Sequence, residues 1–441
     1  MATSFIQVLV CLLAGIGVIV ILTARYRIHA FFALLIACFV VGLGVQMPVT
    51  SIIDSVKEGF GSIMKSLGLI IVLGTTLGVI LEHTGSTKVM AAFILKKVGE
   101  KHAPLAMSIT GFIVGLPIFC DSGFIVLSGL NRSLAKRTGI SVVVTGVSLA
   151  TGLYAVHCLI PPHPGASSAA AAIGVDFGKL ILIGIVCALP AMIIGYWWAS
   201  YAGKKMPVPV IEQEIIAEAI ERPPSVMKAF LPVMIPIILI AVKSFLVIEK
   251  SATGWLNIFS SLGDPVIALS IGVLLAFNCS RSWTRNIISK QLQESAEKAG
   301  GILVIIGAGG AFGGVLAATK IGEHFSEVLP LGSLGIVFPF LLTFILKTAQ
   351  GSSTVAIITA ASIVQPLLPA LGLETQTGKL LCVLSMGAGS MMISHANDAY
   401  FWVIAKFSGL DMKTMLKVYS VATLLMGLTT LLMVYVLSLI M

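Results

Sequence analysis

The chain has 441 residues, of which 57% are hydrophobic and only 11% charged, and its mean hydropathy is +1.04. That leaves too little polar surface for a soluble protein of this length and predicts an all-α polytopic membrane protein. The formal net charge of +9 calls for no nucleic-acid partner, because most Lys and Arg fall in short loops, where they set orientation in the bilayer.

The first apolar run, 4–24, has no basic region before it and no convincing cleavage site. It reads as an uncleaved span rather than a signal peptide. Arg25 and Arg27 follow it, which puts that loop in the cytoplasm. Further spans are predicted over 28–46 and 62–82, each long enough to cross roughly 30 Å of hydrocarbon. Segment 103–131 is apolar but lies between Lys96, Lys97 and Lys101 on one side and Arg132, Lys136 and Arg137 on the other. Both of its ends therefore belong in the cytoplasm, yet two crossings need roughly forty residues. The expectation is a re-entrant hairpin with its tip near Pro117–Ser122. Spans over 140–172 and 178–200 complete a first half, 1–202. The polar, Pro-bounded stretch 203–225 reads as a cytoplasmic linker. The second half, 226–441, is predicted to span at 226–248, 263–280, 300–318, 376–404 and 418–441. Its hairpin, 333–368, has its tip near Gln350–Thr354 and flanks poor in positive charge, which suits entry from outside. The seven cysteines are scattered without C-x-x-C spacing and read as small hydrophobes rather than as disulfides or metal ligands.

One offset, 235 residues, relates the halves. It aligns "FFALLIA" (31–37) with "VIALSIG" (266–272), "GTTLGVILEHT" (74–84) with "GGAFGGVLAAT" (309–319), and "IGVDFGKL" (173–180) with "SGLDMKTM" (408–415). Five spans per half is an odd number, so the second half is expected upside down relative to the first, a familiar transporter plan. Gly74, Gly78, Gly309 and Gly313 permit close helix packing, within the chain or between subunits. Oligomeric state, a homodimer included, stays open at this level.

The fourth span of each half is interrupted. "AVHCLIPPHPGASS" (155–168) holds three prolines and a glycine, which remove helical donors. At the same offset His163 falls opposite Asp398, within "MMISHANDAYFW" (391–402). Unwound backbone at membrane depth survives only where protein buries it or water reaches it. Two hairpin tips and two broken spans thus predict a two-fold-related polar site near the midplane. Its ionisable residues are Asp121, His157, His163, Lys347, His395 and Asp398, and intramembrane charge is usually functional. Plainer roles stand beside that reading. His157 and His395 can be neutral and bonded to carbonyls, Asp121 and Asp398 can cap helices, and Ser352, Ser353 and Thr354 can bond back to their own helix. Lys347 can pair with an acid or meet a substrate's charge.

These stretches resemble the gluconate permease family of bacterial proton symporters, most specifically at "PPHPG" (161–165), "GAGGAF" (307–312), "GSSTVA" (351–356), "SHANDAYFW" (394–402) and "GDPV" (263–266). The resemblance covers nearly the whole chain. It implies membership of the ion-transporter superfamily, multi-pass placement in the bacterial inner membrane, and a small hydroxylated carboxylate such as gluconate, a related sugar acid or D-serine as substrate. It implicates Ser352 to Thr354, Pro161 to Gly165 and His395 to Asp398. The first hairpin departs from the family pattern: Cys120-Asp121-Ser122-Gly123-Phe124 stands where many members resemble Glu-Val-Gly-Phe. Ala166-Ser167-Ser168 is also unusual, so another sugar acid, or glycerate, is a live alternative.

The expectation is a secondary transporter importing a small polyhydroxy monocarboxylate with protons, sodium being the rival coupling ion. Substrate would meet Ser122, Pro162, His163, Gly165, Lys347, Gly351, Ser352, Ser353, Thr354 and Asn397. Asp121, His157, His395 or Asp398 would carry the coupling proton, since coupling needs a group whose proton affinity changes with loading. No metal or cofactor is expected. No H-E-x-x-H or G-x-S-x-G stretch supports a hydrolase.

Overall fold

The structure, a computed structural model, describes residues 5–206, 223–246, 261–280, 283–320 and 331–441. Most of the expected linker, 203–225, lies outside the described residues. In chain order the helices are α1 (Phe5–Val20), α2 (Ala30–Gly44), α3 (Val49–His83), α4 (Ser86–Val98), α5 (Ala103–Gly115), α6 (Cys120–Thr138), α7 (Val142–Leu159), α8 (Pro164–Ile173) and α9 (Phe177–Ala202). There follow α10 (Val226–Leu246), α11 (Pro265–Phe277), α12 (Arg285–Ala318), α13 (Val337–Gln350), α14 (Ser353–Val364), α15 (Gln376–Met391), α16 (Ala399–Ser408) and α17 (Val421–Ile440). Among the described residues there is no strand.

Among the described residues, seven segments are long and apolar enough to cross a membrane. That is fewer than the ten spans the sequence suggests. α2 has 15 residues and α11 has 13, about 22 and 20 Å of helix at 1.5 Å per residue. The segment 376–404 is cut between α15 and α16. Conversely, α3 and α12 run 35 and 34 residues, well past the 62–82 and 300–318 expected. Their first halves carry Asp54, Lys57 and Glu58, and Arg285, Lys290, Glu294, Glu297 and Lys298, so hydropathy registers only their apolar ends. α4 was not foreseen at all; the last turn of its thirteen residues carries Lys96 and Lys97, which lower its hydropathy.

α7 lies at the centre. All eighteen of its residues are buried, as expected of a helix that is apolar on every side. It starts at Ser141, whose hydroxyl accepts from the Val143 amide, an N-cap that satisfies one of the orphan donors of the first turn. α5, α6, α9 and α15 pack around it. α3 and α12 pack on each other along their lengths, with α2 against α12 and α11 against α3.

The four glycines singled out from the sequence face internal partners. A Cβ at Gly74 would sit 3.2 Å from Pro162 and one at Gly78 2.9 Å from the Pro117 carbonyl. At Gly309 it would sit 2.2 Å from Ile358, and at Gly313 3.4 Å from Ser362. In each half, then, the small residues of the long helix let a neighbouring interrupted segment or helix approach its backbone.

Candidate functional site

Four interruptions meet near α7. The first is Leu116–Phe119, between α5 and α6, where Pro117 removes a helical donor. The second is Ile160–His163, between α7 and α8, with two consecutive prolines. The third is Gly351–Ser352, between α13 and α14. Gly351 has φ +85°, and a Cβ there would lie 2.1 Å from the Asn397 carbonyl oxygen, so only glycine fits. The fourth is Met392–Asp398, between α15 and α16.

The second and third interruptions share one hydrogen-bonded chain. His163 Nε2 lies 2.7 Å from the Gly115 carbonyl. A carbonyl only accepts, so this nitrogen carries a hydrogen. With His163 neutral, its Nδ1 is an acceptor, and His157 Nδ1, 3.3 Å away, must donate to it. His157 Nε2 is then an acceptor, and the Thr354 hydroxyl at 3.3 Å donates to it. The chain therefore has one polarity, from Thr354 through both rings to Gly115. One added proton reverses its outer half: a doubly protonated His163 donates to His157, and His157 Nε2–H donates to Thr354. Both rings are buried, and Tyr154 stacks on His157 with ring centroids 6.3 Å apart. Tyr154 is itself fixed by a bond from its hydroxyl to the Ser390 carbonyl at 3.1 Å.

The third and fourth interruptions share an ion pair. Lys347 is wholly buried, and its Nζ donates to Asp398 Oδ2 at 2.7 Å and to the Gly351 carbonyl at 2.5 Å. Asp398 Oδ2 also accepts from Ser394 Oγ at 2.5 Å, and Oδ1 caps α16 by accepting from the Tyr400 amide at 3.0 Å. Around this pair, His395 Nε2 donates to the Thr348 carbonyl at 3.1 Å. Asn397 Nδ2 donates to the Thr348 and Ala349 carbonyls at 2.8 and 3.3 Å. The fourth interruption thus closes the C-terminal end of α13, whose last carbonyls have no helical partner. Thr423 and Ser420 hold Ser394 in turn, through its amide and its carbonyl.

The structure brings together His157, His163 and Thr354 in one cluster and Lys347, Gly351, His395, Asn397 and Asp398 in another. Gly165 joins the first, since a Cβ there would lie 3.4 Å from Thr354 Cα. Pro162 and His163 line a cavity against α3. Ser352 caps α14, accepting from the Val355 amide, and Ser353 is buried in its first turn. Asp121 and Ser122 stand apart, in the first turn of α6, with Asp121 exposed. Sequence reasoning did not name Ser394, which holds Asp398, or Tyr154, which stacks on His157. Gln350, at the tip the sequence marks, has its side-chain amide buried with no partner among the described residues. Tyr154 carried no signal, because a lone Tyr in an apolar run reads as core. Among the described residues, no three His, Cys, Asp or Glu gather in a way that could hold a metal.

A multi-pass helical bundle whose interrupted helices gather buried charge has the form of a membrane transport protein. The chain belongs to the GntP family permeases, whose model it matches over residues 7–440. It is 32% identical to a gluconate permease of Pseudomonas aeruginosa, over 96% of each chain. It is 31% identical to the inner membrane permease YgbN of Escherichia coli, over 97% of each, and 29% identical to the D-serine transporter DsdX of Escherichia coli O6:H1, over 99% of each. Among solved structures it shares its fold with Neisseria gonorrhoeae MtrF, with a TM-score of 0.61 at 16% identity over 87% of this chain and 83% of that one. It is a permease of the membrane and not an enzyme.

Proposed function

We infer that the chain imports a small sugar acid of the gluconate type by proton symport across the bacterial inner membrane. The observation that carries this is the polar chain Thr354–His157–His163–Gly115. One proton on the histidine pair turns Thr354 from donor to acceptor at its ring contact and frees the hydroxyl hydrogen. That hydrogen, at the tip of α14 beside Ser352 and Ser353, is available to a substrate carboxylate. Proton and substrate then favour each other's binding, which is what symport requires. The unpartnered Gln350 amide offers a donor and an acceptor to substrate hydroxyls.

Protons are favoured over sodium because oxygens of the third and fourth interruptions, on Gly351 and Asp398, already hold a cation that the chain supplies, Lys347. The gluconate permease relative at 32% identity supports a sugar acid. The D-serine transporter at 29% keeps a small hydroxy amino acid as the second reading.

Alternating access follows from two inverted repeats, 1–202 and 226–441, each with a re-entrant helical pair, α5–α6 and α13–α14. Several features support the repeat. At the 235-residue offset α8 falls on α16, Gly174 and Gly409 end them in left-handed conformations, and Asp176 and Asp411 cap the helices that follow. His163 and Asp398 occupy the same N-cap position.

Uptake of labelled gluconate into proteoliposomes tests the reading. Uptake is expected to rise with an inward proton gradient and to be equal in sodium and choline buffers. Thr354→Val is expected to abolish the gradient's effect and Thr354→Ser to keep it. Gradient-independent uptake would refute symport, and failure of gluconate to enter or compete would refute the substrate class.

A further inference from the structure

We propose that two small adjoining cavities, one of them beside His163, form the path by which the coupling proton leaves the histidine pair, with Thr75 as its relay. This rests on the proton-symport reading. One cavity reaches His163, lies between α3 and the first two interruptions, and includes Thr75. The other continues from Thr75 to Ser122, Glu82 and Lys298. They share Thr75, Pro117 and Phe119, and each has room for about one water molecule. Neither would hold a sugar acid.

Thr75 is 4% exposed, and its hydroxyl has no partner among the described residues. The neighbouring Thr76 does what a helical threonine ordinarily does, donating to the Val72 carbonyl at 2.8 Å. A buried hydroxyl left unmatched beside a water-sized cavity that also reaches His163 is the kind of group that an ordered water satisfies. At the outer end, Lys298 pairs with Glu294 at 2.8 Å and lies 4.0 Å from Glu82.

The polarity of the histidine chain gives the path a direction. A proton arriving from the Thr354 side forms a new N–H bond at His157 Nε2. The His157 Nδ1 proton passes to His163 Nδ1, and the His163 Nε2–H bond breaks, its proton going to a cavity water. One proton enters and one leaves, and both rings end in the opposite tautomer. The bare His163 Nε2 then faces the Gly115 carbonyl, a repulsion that destabilises this tautomer. Thr75 passes the proton onward by accepting from one water and donating to the next, and Glu82 is the first carboxylate it reaches.

The groups facing the pair come from several elements. Tyr154 and Cys158 are on α7, Lys347 with Asp398 lies behind His157, and Cys120 and Asp121 begin α6 beside the Phe119 ring that tilts over His163. Tyr400 and Tyr419 lie beyond Tyr154. The Thr75 cavities run from His163 to Lys298 on α12.

The test is Thr75→Val, which keeps the shape and removes the hydroxyl, in proteoliposomes with labelled gluconate, or D-serine should gluconate not be carried. Net uptake driven by a proton gradient is expected to slow roughly tenfold, the size of one lost hydrogen bond along the path. Substrate counterflow, which needs no proton release, is expected to stay within about twofold, and Thr75→Ser to restore net uptake. The proposal is overturned if Thr75→Val leaves net uptake unchanged, if counterflow falls in step with it, or if Thr75→Ser is as slow. Wild-type uptake that ignores the gradient overturns the symport reading instead.

Discussion

The sharpest energetic prediction concerns Lys347 and Asp398. The sequence left two roles for Lys347, substrate ligand or partner of an acid, and its Nζ lies 2.7 Å from Asp398 Oδ2 with both side chains 8% exposed or less. Removing one member of a buried pair costs about 3–5 kcal/mol, most of it the penalty of leaving the other charge behind. Lys347→Met leaves Asp398 with the Ser394 hydroxyl and the Tyr400 amide, so its cost should sit near the low end, about 3 kcal/mol. Asp398→Asn leaves an ammonium with one carbonyl and an amide, and should cost about 5 kcal/mol. The double variant removes both charges. It should be less destabilised than the sum of the singles by about 1–3 kcal/mol, the usual coupling of contacting residues. Reversible unfolding in mixed micelles measures all three, and gluconate binding to the folded fraction separates stability from affinity. Strict additivity, or Lys347→Met as stable as wild type with weakened binding, would refute the pairing and return Lys347 to the substrate.

Three further outcomes follow from contacts elsewhere. Gly152→Ala places a Cβ 2.1 Å from the Ser108 carbonyl; forcing α5 from α7 should cost about 1–3 kcal/mol by overpacking, read as a lower melting temperature. Arg132 donates from Nε and Nη2 to the Phe407 carbonyl near the end of α16, at 2.9 and 2.5 Å. Arg132→Ala should cost about 1.5–3 kcal/mol, the range for a charged hydrogen bond, and Arg132→Lys should recover part of it in the same melt. Asp411 caps the turn after α16, and bonds from the Thr414 side chain and then its backbone amide hold its carboxyl below the usual carboxylate value. A depressed folded value stabilises above the unfolded one and is lost as pH falls through the folded one. Melting temperature should therefore drop in acid, below about pH 4, less steeply in Asp411→Asn than in wild type.

How much of this was legible in the sequence depended on the kind of signal. Prolines at 161, 162 and 164 and the polar run Ser394–Asp398 announced their interruptions, because no apolar helix tolerates them quietly. The offset of 235 placed His163 opposite Asp398, and both turned out to begin a short helix. Helix ends in charged stretches were not legible: the first halves of α3 and α12 are amphipathic and project beyond what hydropathy detects. Pairings were not legible either. Lys347 and Asp398 are 51 residues apart, and His157 and Thr354 are 197 apart. Nothing local in an apolar run indicates which polar residue another will meet. Asn397 illustrates the limit. Its amide suits a sugar hydroxyl, yet it donates to the last carbonyls of α13, and an interrupted helix always leaves such carbonyls wanting.

Two short helices 235 residues apart in the chain, α8 and α16, begin on different chemistry. The N-cap of α8 is an imidazole and that of α16 a carboxylate, and each makes the bond its chemistry allows. Asp398 accepts from its own helix and from Lys347, so its charge is spent in place and its interruption is locked. His163 makes no cap bond to its own helix; it bonds across to Gly115 and His157, on two other helices. A group that both gives and takes protons, held only by other elements, has a state that changes when those elements move. A fixed ion pair has no such freedom. If coupling resides in the interruptions, it therefore belongs to the second and not to the fourth. Substitutions at His163 should then alter the pH dependence of uptake, whereas those at Asp398 should chiefly lower the amount of folded protein. Parallel titration of uptake and of folded yield for His163→Gln and Asp398→Asn decides this, and a pH profile shifted only in Asp398→Asn would reverse the assignment.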